Sequence, residues 1–110
     1  LDPAGEFLYV TLNGESRIGK VDLATRSVVT RVSTGTAPRS MVIAPDGGAL
    51  YVVNYESNTM SKVRTADMKV LQTLPTDRHP IGITSDTDPS GIHRIWVACY
   101  AGSLIVFTDA

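Results

Sequence analysis

The chain has 110 residues, 43% of them hydrophobic and 19% charged, with a net charge of −1 and a pI near 6.1. That size suits one globular domain, and so even a charge balance excludes broad electrostatic attraction to nucleic acid or to an anionic membrane. Apolar runs extend only a few residues, far short of the ~20 that a spanning helix needs, and Cys99, the sole cysteine, excludes an internal disulfide framework or a cysteine metal cluster.

In chain order, the sequence opens on Leu1-Asp2-Pro3, which is neither an initiator methionine nor a secretory signal. It is already inside a repeating unit. Pro3-Ala4-Gly5-Glu6-Phe7-Leu8-Tyr9-Val10-Thr11-Leu12 is a turn followed by an apolar run. The arrangement returns at Pro45-Asp46-Gly47-Gly48-Ala49-Leu50-Tyr51-Val52-Val53-Asn54, 42 residues on, and again at Pro89–Ala98, where Trp96 stands 45 residues after Tyr51. At the first offset Lys20-Val21 matches Lys62-Val63, Ala24 matches Ala66, Val28 matches Val70, Thr34 matches Thr76 and Pro38 matches Pro80. A period in the low forties, made of turns and β-forming runs, predicts a propeller.

The complete unit holds four such runs, named A to D here: Arg39–Ala44, Ala49–Tyr55, Thr59–Thr65 and Lys69–Pro75. Asp46 and Gly47 supply the tight turn between A and B. No stretch carries sustained helical spacing, so no helix is predicted. Run B is apolar almost throughout, whereas a strand with one wet face would alternate. Both its faces must therefore be covered, as in a sheet lying between two others. The whole chain reads B-C-D, A-B-C-D, A-B-C. The expectation is an all-β fold of four-stranded antiparallel blades, present as a partial propeller, with blade parts 1–38, 39–80 and 81–110. Closed propellers typically use four to eight blades, so the chain is expected to be a segment of a longer one, or else a piece that assembles edge to edge.

Leu8-Tyr9-Val10-Thr11-Leu12-Asn13 and Leu50-Tyr51-Val52-Val53-Asn54 resemble the YVTN family of β-propeller repeats. So do Pro45-Asp46-Gly47, Asn58-Thr59-Met60-Ser61, Val21-Asp22-Leu23-Ala24-Thr25 and Gly35-Thr36-Ala37-Pro38. The sequence departs from the pattern at Arg64, where the first unit has Asp22, at Asp77 in place of Gly35, at Trp96 in place of the tyrosine, and in extra residues around Asp86–Ile92. The resemblance implies a seven-bladed propeller, commonly periplasmic, secreted or attached to the cell surface, and often without known catalysis. Some similar propellers are lactonases and others hold a haem d1. No motif here selects either, and no cofactor or metal is expected.

Antiparallel order places the B–C and D–A loops on one face and the A–B and C–D turns on the other. The first set varies between units, and variable polar loops on a rigid scaffold are where binding residues concentrate. The candidates there are Arg39, Asn54, Tyr55, Glu56, Arg78, His79 and Tyr100. Arg39 and Arg78 are candidates for holding a carboxylate or phosphate, against the plainer role of solvated charges or ion pairs with Glu56 or Asp77. Tyr55 and Tyr100 offer an aromatic platform or blade packing. His79 is the residue type suited to general-base work, but a triad with Ser40 lacks the Gly-x-Ser-x-Gly elbow, and no catalytic residue is assigned. Glu15 and Glu56 read as surface charge, and Cys99 as a buried thiol. The leading expectation is a binding or scaffolding propeller for a protein, peptide or cell-envelope partner. The alternatives are a lactonase-type hydrolase working at the channel mouth and a structural unit of a surface-layer or adhesin protein.

Overall fold

The computed structural model describes residues 1–109 and arranges them in three antiparallel sheets. The first holds β1 (Phe7–Leu12), β2 (Arg17–Asp22) and β3 (Ser27–Ser33). The second holds β4 (Pro38–Ile43), β5 (Ala49–Asn54), β6 (Thr59–Arg64) and β7 (Lys69–Pro75), and the third β8 (Pro80–Thr87), β9 (His93–Cys99) and β10 (Leu104–Asp109). Each sheet pairs its strands in chain order, giving B-C-D, A-B-C-D and A-B-C as three propeller blades. Within the second blade the strand ends lie within a residue of those read from the sequence. One feature differs: Asn13–Glu15 form a 3₁₀ turn between β1 and β2. A single turn is too short to carry a periodic apolar pattern, so the sequence gives no sign of it.

The unbroken apolar run of β5 has a direct structural cause. All six of its residues are buried, and they divide by parity between two cores. Tyr51 and Val53 pack with Ile95, Val97 and Cys99 of the third blade. Leu50 and Val52 pack on the other side with Tyr9 and Ile18 of the first. Successive side chains of a strand point to opposite faces, so a strand clad on both sides is apolar throughout, save Asn54 at its end. Outer strands show the opposite: β7 is exposed or half-buried throughout.

The backbone repeats more faithfully than the side chains. Positive φ falls at Gly5 and Gly47, Ser16 and Asn58, Arg26 and Met68, and Ala37 and His79, each pair 42 residues apart. Bulges repeat at the same interval: one falls at Lys20/Val21 and again at Lys62/Val63, another at Pro38/Ser40 and again at Pro80/Gly82. Such bulges bend and twist a strand, so each sheet receives the same curvature at the same place. The extra residues of the third unit are absorbed in a longer β8–β9 hairpin. Its turn is tied by Asp88, whose carboxylate accepts from the Ser90 N–H (2.9 Å), the Ser90 hydroxyl (2.7 Å) and the Ile92 N–H (3.0 Å).

Between β3 and β4 the chain passes closely over the end of β5. A Cβ placed on Gly35 would stand 2.8 Å from Asn54 Cβ, and closer still to Ser57 Oγ. In the next unit Asp77 occupies the equivalent place. There the strand end opposite carries Cys99, which pairs with Pro80 as Asn54 pairs with Pro38, and the Asp77 side chain accepts a 2.6 Å hydrogen bond from Ser103. Gly35→Ala is expected to destabilise the fold by about 1–3 kcal/mol, read as a lower urea midpoint at unchanged slope. Gly14→Ala, whose Cβ would meet nothing within 4 Å, should stay within about 0.5 kcal/mol; equal losses would refute the steric account.

Candidate ligand-binding face

The B–C and D–A loops meet on one face and are bound to one another by hydrogen bonds. Within the second blade Tyr55 N–H donates to Ala37 O (2.9 Å) and Glu56 N–H to Thr36 O (3.2 Å), while Thr36 N–H donates to Ser57 Oγ (3.0 Å). Neighbouring blades are tied by a repeated bond. Ser16 Oγ accepts from the Ala37 N–H (3.5 Å), and Asn58 Oδ1, in the same place one unit later, accepts from the His79 N–H (2.9 Å). Both acceptors and both donors have left-handed backbones, a conformation that L-residues with side chains adopt at some cost. Its recurrence in consecutive units marks it as part of the scaffold.

On this frame stands a layered stack. The Arg39 guanidinium lies 4.7 Å from the centre of the Tyr55 ring, and the His79 ring stacks on Tyr55 at 4.4 Å and 20°. Both groups thus lie within 5 Å of the centre of the same ring. A guanidinium over a phenol is a favourable cation–π arrangement, and His79 Nδ1 stands 3.1 Å from the Tyr55 carbonyl oxygen. Tyr55 is thus contacted by residues that follow two separate D–A junctions. The anchoring Asn58 was not among the residues singled out from the sequence; its match to Ser16 in the repeat register, both small and polar, was the available signal.

Beside the stack, Tyr55, Arg78, His79, Tyr100 and Ala101 line an open depression of about 480 Å³, within the range of small-ligand sites. Tyr100 is 74% exposed, and its N–H donates to the His79 carbonyl (2.8 Å). The ion-pair alternative for the arginines is not realised: the salt bridges among the described residues join Lys62 to Asp109, Arg64 to Asp67 and Arg94 to Asp86. Asp77 is engaged by its neighbours instead. The Ser103 hydroxyl and the Arg78 N–H both donate to its carboxylate and hold it below the usual carboxylate range. Glu56 is exposed at the rim.

Asn54 requires a correction. The sequence groups it with the ligand-facing residues, yet it is fully buried. Its amide donates to Thr59 Oγ1 (3.1 Å) and Ser61 Oγ (3.0 Å) inside the blade, and Gly35 covers it. It is the last residue of β5, so strand parity turns it into the seam with the first blade, not into the loop. Ser40, the other half of the paper triad, donates to the Ile81 carbonyl at 3.0 Å. Cys99 is buried. Among the described residues no three His, Cys, Asp or Glu side chains converge as a metal site would require, and no helix is long and apolar enough to cross a membrane.

Stacked antiparallel sheets with their variable loops gathered at one end define this chain as blades of a β-propeller. It belongs to the lactonase seven-bladed β-propeller family, whose model matches residues 1–95. A relative, hydrazine synthase subunit beta of Kuenenia stuttgartiensis, is 31% identical over a 90-residue alignment taking in 60% of this chain and 23% of that protein. The solved Kuenenia stuttgartiensis hydrazine synthase superposes over 99% of this chain and 31% of its own, with TM-score 0.89 and 26% identity. Dihydro-heme d1 dehydrogenase NirN superposes over 100% of this chain and 27% of its own, with TM-score 0.69 and 20% identity; at that identity only the fold is shared. The chain spans less than a third of the length of each of these relatives.

The Asn58 bond gives a direct test of how the face is held. Asn58→Ala removes the acceptor for the His79 N–H and leaves a left-handed alanine, and is expected to cost about 1–3 kcal/mol. Asn58→Gly, which relieves the backbone, should recover part of the loss in the same thermal or urea melt; an alanine variant as stable as the parent would show that the bond contributes nothing.

Proposed function

We propose that this chain is part of a non-enzymatic binding propeller of the YVTN kind, acting outside the cytoplasm. Its loop face engages a protein, peptide or cell-envelope partner. The observation that carries this reading is the Arg39–Tyr55–His79 stack beside the depression lined by Arg78 and Tyr100. Rigid aromatic and arginine side chains are the types that dominate binding energy at interfaces, and Arg39 and Arg78 stand on an exposed rim suited to an acidic group on the partner. The relative named as a subunit of hydrazine synthase supports a role within a larger assembly.

A second reading, lactonase-type hydrolysis at the same mouth, is favoured by the family's name. It asks His79 to act as a base, and the hydroxyl of Ser40 is directed to the Ile81 carbonyl, not toward that imidazole. The test uses the full-length protein and its envelope extract. Arg39→Ala with Tyr55→Ala should lower recovery of the partner in a pull-down by at least about tenfold, since hot-spot truncations cost about 2 kcal/mol or more. Unchanged recovery would place the interface elsewhere, and turnover on a lactone panel that is lost in His79→Ala would favour the hydrolase.

A further inference from the structure

The seams between blades carry a device separate from the loop face. In the first two blades strand B contributes a tyrosine, paired across the ladder with a lysine of strand C: Tyr9 with Lys20, and Tyr51 with Lys62. Each pair reaches into the following blade, to the residue in register at the end of its strand C. At the first seam that residue is Thr65. Lys20 Nζ donates to its carbonyl at 2.8 Å, while its hydroxyl donates to the Gly47 carbonyl at 2.6 Å. At the second seam the strand-C register (Lys62 opposite Tyr51, Val106 opposite Trp96) brings Asp109 to the place of Thr65. The Tyr51 hydroxyl donates to its carboxylate, and Lys62 Nζ pairs with it at 2.6 Å. Both seams present the tyrosine–lysine pair to the next blade, and the second sets a carboxylate against it.

We propose that Asp109 makes the second seam a proton-sensitive latch, while Thr65 leaves the first seam indifferent to acid. The groups facing Asp109 are Tyr51 from β5, Lys62 from β6 and His93 from β9, with Asp46 of the β4–β5 turn lining the same cavity. Three of the four are hydrogen-bond donors or cations that suit a carboxylate. Partial burial alone would raise the Asp109 pKa; the Lys62 and Tyr51 contacts outweigh it and hold the group below its usual range. Burial, then the adjoining carboxylate, push the Tyr51 phenol up, keeping it a donor. A carboxylate whose pKa falls on folding stabilises the folded state above its unfolded value, about 3.9, and loses that contribution as pH drops through the folded value. The latch is therefore closed at neutral pH and loosens as pH falls from the unfolded value of about 3.9 through the lower folded one. The other ion pairs, Arg64–Asp67 and Arg94–Asp86, lie within single blades, so their protonation acts inside a blade and not across a seam.

Hydrogen–deuterium exchange of the intact protein, read by mass spectrometry near pH 7 and near pH 3 and corrected for intrinsic rates, separates the seams. Peptides spanning β9 and β10 should lose at least about threefold more protection on acidification than those spanning β1 and β2. Asp109→Thr should abolish that difference even if it weakens the seam at both pH values, and Thr65→Asp should introduce an acid response at the first seam. His93→Gln should leave the difference in place. An acid response retained in Asp109→Thr, none gained in Thr65→Asp, or one lost in His93→Gln would overturn the assignment.

Discussion

The constraint from which the structure follows is that strand B has no free face. A single blade cannot bury both sides of β5, so the sheet is stable only between two others, and its parity divides the chain into two cores. Nonlocal cladding of this kind is what makes repeat architectures cooperative: each unit supplies half of a core that only its neighbour completes. The loops are positioned as a consequence. With the strands fixed by packing, their ends come out at one level, and short connections with recurrent left-handed residues have little freedom to differ in path. Variation is left to the side chains.

The two seams and the loop face use the same repeat register for different ends. On the loop face, Ser16 and Asn58 perform one task with different side chains, and the stack forms only where His79 and Arg39 flank Tyr55. The equivalents of those residues one unit earlier, Ala37 and, across the blade, Asn13, make no such stack; Asn13 instead donates its side-chain amide to the Pro38 carbonyl at 3.2 Å. The face is thus a common frame with one decorated position. Such decoration is how a propeller acquires a particular partner without altering its scaffold.

Much of the fold was legible in the sequence because its cause is periodic. Turn residues at constant spacing and unbroken apolar runs report packing directly, and the strands of the second blade follow them closely. The site was less legible. Arg39, Tyr55 and His79 come together on one loop face, and the left-handed φ at His79 is one that no sequence rule announces for a histidine. Asn54 reads as a loop residue because a polar side chain at a strand end resembles one until parity and the overlying Gly35 are known. The seam partners were visible only as identities, Tyr9 with Tyr51 and Lys20 with Lys62. That they reach the next blade depends on how sheets are stacked, which a one-dimensional repeat does not encode.

The lengthened β8–β9 hairpin shows how insertions are accommodated in this architecture. Added residues extend two paired strands away from the loop face, and a single carboxylate, Asp88, gathers the new bend. The far rim of the molecule is therefore its growing edge. A fluorophore, an affinity handle or a fused module carried at Pro89–Ser90 would project from the side opposite the depression and leave its walls as they are.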